Sequence, residues 1–141
     1  LLFLAFRRTS FLASNSSDIP FTTIDPATGK MSAVGSRFWL HCRNTASAIY
    51  FLLNHGKPGE AYNIIGFDEL SNLEIAEMVA KYVGKPLIPD FIDFHKARPG
   101  HDRRYALDGS KMKQLGWAPE IDFETSLKQT VEFALHNPQW I

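Results

Sequence analysis

The sequence predicts a small α/β protein, more narrowly an α+β lobe, with one mixed sheet of three to four short strands and about four helices. A length of 141 residues suits a single domain. Hydrophobic residues make up 45% of the chain and charged residues 21%, as in folded globular proteins. Short apolar runs alternate with amphipathic segments that begin and end at Ser, Asn and Gly. We therefore expect one folded unit.

The first part of the chain is predicted to be irregular. Residues 1–6 are apolar, a run too short to cross a bilayer. We interpret this run as an edge cut from a larger protein, and the alternative is an ordinary first strand. Residues 9–36 are rich in Ser, Thr, Pro and Gly, which favour loops or extended chain over helix. The predicted organisation is an irregular segment at 1–34 and a folded lobe at 35–141.

The lobe is predicted to open with a strand at 37–42, a compact apolar and aromatic run. A helix should follow from Asn44 or Thr45 to about Asn54, because both residue types are good helix N-caps. Cys42 within the strand is expected to be a buried, unreactive thiol. The predicted buried side of the helix consists of Ala48, Ile49, Phe51 and Leu52.

A second strand and helix are predicted at 62–65 and after Ser71. The Ser-x-x-Glu pattern of Ser71 and Glu74 is typical of a capping box, and Gly84 is typical of a helix end. The next strand, at 87–94, contains a proline and should therefore lie at the edge of the sheet.

The last third of the chain should begin with an exposed loop at 95–104, which has no aliphatic residue larger than alanine. A strand at 105–108 and a short helix at 110–115 are predicted next. The final helix should follow Asp122, an N-cap residue, and end before Pro138.

Charge and cysteine content restrict the function. Lys plus Arg and Asp plus Glu number 15 each, so the chain lacks the overall positive field of a nucleic-acid-binding protein. A single cysteine excludes an internal disulfide and a thiolate metal site. We expect a cytoplasmic protein with no nucleic-acid or membrane partner, and the oligomeric state stays open.

Motifs for catalysis and cofactor binding are absent from the sequence. It contains no H-E-x-x-H, C-x-x-C or G-x-S-x-G pattern, and its five histidines are scattered. Its nine glycines form neither G-x-G-x-x-G nor G-x-x-x-x-G-K. The sequence therefore predicts no catalytic residue, no metal ligand and no dinucleotide site of its own.

Three positions are candidates for binding an anion. Arg98 lies in the basic loop, where the following Pro-Gly restricts the backbone, and guanidinium groups match phosphate oxygens. The alternative is a solvated basic loop. Arg37 opens an apolar strand and could reach a ligand or lie along the surface. Asn63 interrupts a strand pattern, which indicates a hydrogen bond to a turn or to a ligand.

Several strings together resemble the carboxy-terminal part of extended short-chain dehydrogenases/reductases, most closely nucleotide-sugar 4,6-dehydratases of the dTDP-glucose 4,6-dehydratase type. The most specific is RPGHDRRYALDGSKMKQLGW at 98–117. The others are GSRFWLHCRNTASAIYFLL at 35–53, GKPGEAYNIIG at 56–66, ELSNLEIAEMVAKYVGKP at 69–86 and FETSLKQTVEFALHNPQW at 123–140.

The resemblance implies a substrate site and a partner lobe. It implies that Arg37 and Arg98 contact the diphosphate of a nucleoside diphosphate-sugar, that Asn63 lies near this substrate, and that His101 and Tyr105 lie in the same cleft. It also implies an NAD-binding Rossmann lobe in the full-length parent, which this lobe would close over. No cofactor is predicted for this chain alone.

The sequence also departs from the family pattern. The family's glycine-rich cofactor loop and its Tyr-x-x-x-Lys catalytic pair are both missing. Phe38 stands between Arg37 and Trp39, where the family has an aspartate. Because the catalytic pair is missing, we expect this chain to grip the substrate and to be inactive alone.

Three alternative functions stay open at this point. One is a nucleotide-sugar 4-epimerase fragment of the same family. The second is a stand-alone module that binds anions through the basic loop. The third is an assembly module that docks a partner through the apolar run at 1–6.

Overall fold

A computed structural model describes residues 17–24, 31–93 and 104–140, and within them the chain forms six strands and four α-helices. The strands are β1 (Ser17–Ile24), β2 (Met31–Val34), β3 (Ser36–Phe38), β4 (Glu69–Ser71), β5 (Pro89–Asp93) and β6 (Arg104–Tyr105). The helices are α1 (Cys42–His55), α2 (Asn72–Val83), α3 (Ser110–Gln114) and α4 (Phe123–His136), followed by a 3₁₀-helix at Pro138–Trp140.

The six described strands form two mixed sheets of three. In the first, β1 pairs antiparallel with β2 and parallel with β5. In the second, β3 pairs antiparallel with β4 and parallel with β6. The small α/β fold with mixed pairing and four helices is confirmed, but the strands form two sheets where one was expected.

The two strands that were not predicted lie in the segment rich in Ser, Thr, Pro and Gly. β1 and β2 fall within the segment predicted to be irregular. The segment of β1, SDIPFTTI, contains β-branched and aromatic residues, which favour a strand despite the surrounding Ser and Pro. The apolar run at 1–6 lies outside the described residues, and the division of the chain at residue 34 stays a prediction.

Several predicted strands differ from those observed. Residues 61–66 form no strand. Tyr62 and Ile64 in this segment pack against the buried residues Ala48, Met112 and Trp117. β3 ends at Phe38 because His41 caps α1, its ring Nδ1 accepting a hydrogen bond from the Arg43 N–H at 3.1 Å. β5 lies at a sheet edge, as its proline predicted.

The helices surround two buried clusters. The first, which we call the α2–α4 cluster, consists of Ile75, Val79, Leu127 and Val131. The second, the α1–α3 cluster, consists of Ala48, Met112 and Trp117. The prediction that Ile49 is buried is wrong, since its side chain is 52% exposed. It lies outside the buried face of α1, which is centred on Ala48.

One buried amide connects two parts of the helical region. Asn44 in α1 is 3% exposed, and its Nδ2 donates to the Ile121 carbonyl at 2.8 Å. Its Oδ1 accepts from the backbone N–H groups of Glu120 and Ile121 at 3.2 and 3.1 Å. The side chain thus ties α1 to the segment that leads into α4, without leaving buried polar atoms unpaired.

Candidate functional site

The β4-β3-β6 sheet brings Arg37 and Tyr105 together. They are paired residues of the parallel strands β3 and β6. The guanidinium carbon of Arg37 lies 4.9 Å from the centre of the Tyr105 ring and 6.0 Å from that of Trp39. These distances are typical of cation–π contacts, which orient a guanidinium while leaving its charge intact. We call Arg37, Trp39 and Tyr105 the Arg37 platform.

The platform is accessible from solvent. Tyr105 is 42% exposed, whereas Arg37 and Trp39 are half-buried. The indole Nε1 of Trp39 donates to the Leu70 carbonyl in β4 at 3.0 Å, which holds the ring against the sheet. An oriented cation at a partly exposed position can bind a diphosphate oxygen.

Alternation along the strands places a second group of side chains on the other face of this sheet. Glu69 accepts two hydrogen bonds from the Arg104 guanidinium, from Nε to Oε1 at 2.7 Å and from Nη2 to Oε2 at 2.6 Å. The Ser36 hydroxyl also donates to Oε1. The Arg104 and Ser36 hydrogen bonds lower the pKa of Glu69 to about 2, so the carboxylate is ionised at neutral pH.

Asn63 makes the structural contact that was one of its two predicted roles. It is exposed, and its Nδ2 donates to the Asp108 carbonyl at 3.0 Å. Three residues later, Gly66 lies close to the residue that follows β3, since a Cβ added to Gly66 would lie only 2.0 Å from the Trp39 carbonyl oxygen. This close approach requires glycine and brings the end of the segment that carries Asn63 beside the Arg37 platform.

The remaining two predicted site residues cannot be placed relative to the platform. Arg98 and His101 fall at 94–103, outside the described residues. The expected convergence of Arg98 with Arg37 therefore stays a prediction. The structure brings together Arg37 and Tyr105, with the Asn63 segment alongside.

Sequence reasoning missed the contacts of Arg104 and assigned Cys42 wrongly. Arg104 was predicted in an exposed basic loop but pairs with Glu69 from within β6. No local pattern in the sequence indicates this pairing, because β6 is only two residues long. Cys42 is exposed rather than buried, because it begins α1 instead of ending a strand.

A cavity beside the core has a volume of about 20 Å³, enough for a water molecule. It is lined mainly by apolar side chains, including Trp39, Ile75 and Leu127. The chain also lacks the glycine-rich turn with which a Rossmann lobe holds pyrophosphate.

Metal-ligand clusters and membrane-spanning helices are both absent from residues 17–24, 31–93 and 104–140. Within these ranges, no three His, Cys, Asp or Glu side chains are grouped as metal ligands would be. None of the helices in them combines the length and apolar character required to cross a bilayer.

Comparisons with known proteins agree on one family. Residues 23–130 match the family model described as GDP-mannose 4,6 dehydratase. A dTDP-glucose 4,6-dehydratase of Escherichia coli is 35% identical over 137 residues, covering 86% of this chain and 38% of the relative. The chain thus spans about a third of the length of the curated relatives it matches.

Solved structures share the fold. The DesIV dTDP-glucose 4,6-dehydratase of Streptomyces venezuelae, with NAD and TYD bound, is 31% identical with a TM-score of 0.66, over 77% of this chain and 34% of that one. A UDP-glucose 4-epimerase of Bifidobacterium longum, in complex with NAD+ and UDP, is 23% identical with a TM-score of 0.67, over 88% and 36%. The second likeness concerns the fold alone.

Proposed function

The chain belongs to the GDP-mannose 4,6 dehydratase family, and we propose that it is the nucleotide-sugar-binding part of an NAD-dependent 4,6-dehydratase of the dTDP-glucose type. The observation that carries this proposal is the Arg37 platform, a guanidinium oriented by two aromatic rings on a partly exposed sheet. A nucleoside diphosphate is the ligand class that fits such a group, because its phosphate oxygens accept charge-assisted hydrogen bonds.

The role of this chain is to bind and orient the substrate. Arg37 would neutralise diphosphate charge, and so would Arg98, which precedes β6 in the sequence. Binding energy gained at the diphosphate, remote from the reacting sugar, would fix the sugar against the other lobe. Asn63, His101 and Tyr105 are assigned to the same cleft on the basis of the family resemblance.

We assign the chemical steps of the whole enzyme to its Rossmann lobe, outside this chain. When bound to the full-length protein, NAD would supply hydride transfer from and back to the sugar, around the loss of water. We assign NAD to the Rossmann lobe of the full-length protein and no residue of this chain to it. A cytoplasmic setting is part of the same proposal, supported by the single cysteine.

Calorimetric titration with thymidine 5′-diphosphate tests the binding role of Arg37. Replacing Arg37 with methionine removes the charge but keeps an apolar side chain near the rings. We expect binding to weaken about tenfold or more, as for the loss of a charge-assisted hydrogen bond. The matched control is Arg43→Met, which removes an exposed arginine from the start of α1.

Equal affinities of the Arg37 and Arg43 variants would contradict the proposed function. The salt dependence of binding distinguishes the proposed function from that of a general polyanion-binding module. Such a module would bind inorganic polyphosphate as well as the nucleotide, and with a steep salt slope. We expect the nucleotide to be preferred.

An activity assay on the 141-residue chain tests the division of labour between lobes. We expect no 4-keto-6-deoxy product from dTDP-glucose, since the sequence lacks both the glycine-rich loop and the Tyr-x-x-x-Lys pair. Formation of this product by the purified chain would contradict the proposal.

A nucleotide-sugar 4-epimerase is the second candidate, because the family resemblance extends to the related epimerases. Both reactions require the same diphosphate grip. The acid and base residues that distinguish them would lie in the Rossmann lobe. The dehydratase is preferred because the Escherichia coli and Streptomyces venezuelae dehydratases, at 35% and 31% identity, are more similar in sequence to this chain than the Bifidobacterium longum epimerase at 23%.

A further inference from the structure

Two side chains on one face of the second sheet donate hydrogen bonds to the carboxylate of a third. Ser36 comes from β3, Glu69 from β4 and Arg104 from β6, so each strand of this sheet contributes one. Oε1 of Glu69 accepts from Ser36 and from Arg104 Nε, and Oε2 accepts from Arg104 Nη2. We call these three residues the Glu69 clamp.

β6 depends on the clamp more than the other strands do. It is two residues long, and its only neighbour in the described sheet is β3, through the residue pairs Ser36–Arg104 and Arg37–Tyr105. So short a strand forms few backbone hydrogen bonds. The link from Arg104 through Glu69 to β4 therefore adds a restraint across the full width of the sheet.

The Glu69 clamp and the Arg37 platform are built on adjacent residue pairs of β3 and β6. Ser36 and Arg104 face the clamp, while Arg37 and Tyr105, each one residue further along, face the platform. Because successive side chains alternate between faces, a shift of β6 that breaks the Glu69–Arg104 contact also moves the Tyr105 ring away from Arg37.

We propose that Glu69 is a positioning residue for the nucleotide site, holding β6 against β3 through Ser36 and Arg104 so that Tyr105 keeps Arg37 oriented. This inference rests on the proposed function for its effect on ligand binding. Its effect on the Arg37–Tyr105 contact is independent of any ligand.

The sign of the binding change separates positioning from simple electrostatics. Glu69→Gln removes a negative charge from the sheet that carries Arg37. If charge alone mattered, the variant would bind an anion more tightly. If Glu69 positions β6, the variant binds more weakly, because a glutamine amide has an NH2 donor in place of one oxygen and cannot accept from Arg104 Nε and Nη2 at two separate oxygens.

The experiment measures thymidine 5′-diphosphate binding by calorimetry in Glu69→Gln and in the control Glu60→Gln. Glu60 also forms a surface ion pair, with Lys111, but lies outside both sheets. We expect about tenfold weaker binding for Glu69→Gln, as for a group displaced from its productive position, and unchanged binding for Glu60→Gln. Unchanged or tighter binding by Glu69→Gln would overturn the inference.

A second readout needs no ligand. In the wild-type chain, the Tyr105 ring should shift the NMR resonances of the Arg37 side chain upfield. We expect this shift to collapse in Glu69→Gln and to persist in Glu60→Gln. If the wild-type chain binds no nucleotide, the proposed function fails, while the resonances still decide whether the clamp positions Tyr105.

Two milder variants guard against loss of folding in Glu69→Gln. Arg104→Lys keeps the charge but replaces the two-pronged contact by a single ammonium, and Ser36→Ala removes one hydrogen bond. We expect intermediate losses of the Arg37 shift in both variants. A full wild-type shift in both would also overturn the inference.

Discussion

The helical region and the β4-β3-β6 sheet are stabilised in different ways. The α2–α4 and α1–α3 clusters consist of apolar side chains that are at most 7% exposed. In the sheet, the Glu69–Arg104 pair and the Arg37 platform lie at the surface, with the Arg104 side chain 61% exposed. Burial of apolar area accounts for most of the stability of such domains, whereas exposed ion pairs contribute little.

This difference separates stability from binding. Substitutions in the helical region should mainly change the free energy of unfolding and have a smaller effect on the nucleotide affinity of the folded molecules. Substitutions in the sheet should change affinity at little cost in stability. Each of the following experiments sets one region against the other.

The largest expected effect is the loss of stability in Leu127→Ala. Leu127 is 4% exposed within the α2–α4 cluster, and its truncation leaves a cavity between the two helices. We expect the free energy of unfolding, measured by urea denaturation, to fall by about 3 kcal/mol. Nucleotide affinity below the unfolding transition should fall less than in Arg37→Met, because Leu127 reaches the platform only through its packing near Trp39.

The control for Leu127→Ala is Leu53→Ala. Leu53 lies on α1 and is 79% exposed, so its truncation should change the unfolding free energy by no more than about 0.5 kcal/mol. Similar losses in the two leucine variants would show that the α2–α4 cluster does not dominate stability.

A smaller loss is expected for Asn44→Ala, which tests a polar contact inside the helical region. The variant leaves the Ile121 carbonyl and two backbone N–H groups without their partner. Leaving such groups unpaired in a buried place costs about 2 kcal/mol, again measurable by urea denaturation. The matched control, Asn54→Ala, removes one exposed hydrogen bond to the Tyr50 carbonyl on the same helix.

Asn54→Ala should be nearly neutral, because alanine has the higher helix propensity. An Asn44→Ala variant as stable as the wild type would show that the loop before α4 adjusts to satisfy its own backbone groups. The helical region would then not be more rigid than the sheet, which is held by surface contacts.

The two regions also differed in how far they could be predicted from the sequence. Local signals define helices well: the Ser71–Glu74 capping box and the Asp122 N-cap are both present as predicted. Their hydrogen bonds span three residues, so the sequence contains both partners. The start of α1 was missed because histidine is an uncommon N-cap, and only its hydrogen bond to Arg43 identifies it.

The sheet depends on contacts between distant residues. Glu69 and Arg104 are separated by 35 positions, and nothing local indicates their pairing. Arg37 was a candidate from its place at the start of an apolar strand and Tyr105 was named from the family resemblance, but their contact follows from the register of β3 and β6. Strands of two or three residues carry too little periodicity to reveal register.

The smallest expected effect is the pH dependence of the Glu69 clamp. The Arg104 and Ser36 hydrogen bonds lower the pKa of Glu69 from an ordinary 4.5 to about 2 in the folded chain. A lowered pKa contributes stability above the unfolded value, which is lost as the pH falls through the folded value. The stability of the wild type minus that of Glu69→Gln should therefore be constant from pH 7 to 5 and vanish between about 4.5 and 2.

Urea unfolding of both chains at each pH gives this difference, in which the titration of other carboxylates cancels. The upfield shift of the Arg37 resonances in the folded wild type should persist below pH 4.5 and disappear only as the pH approaches the folded pKa of about 2, while the signals of Val79 and Val131 in the α2–α4 cluster stay unchanged. A difference curve that is flat down to pH 2 would show that Glu69 is not held by Arg104 in solution. Loss of the valine signals together with the Arg37 shift would show that the sheet and the helical region unfold as one unit, because a clamp confined to the surface cannot destabilise the buried cluster on its own.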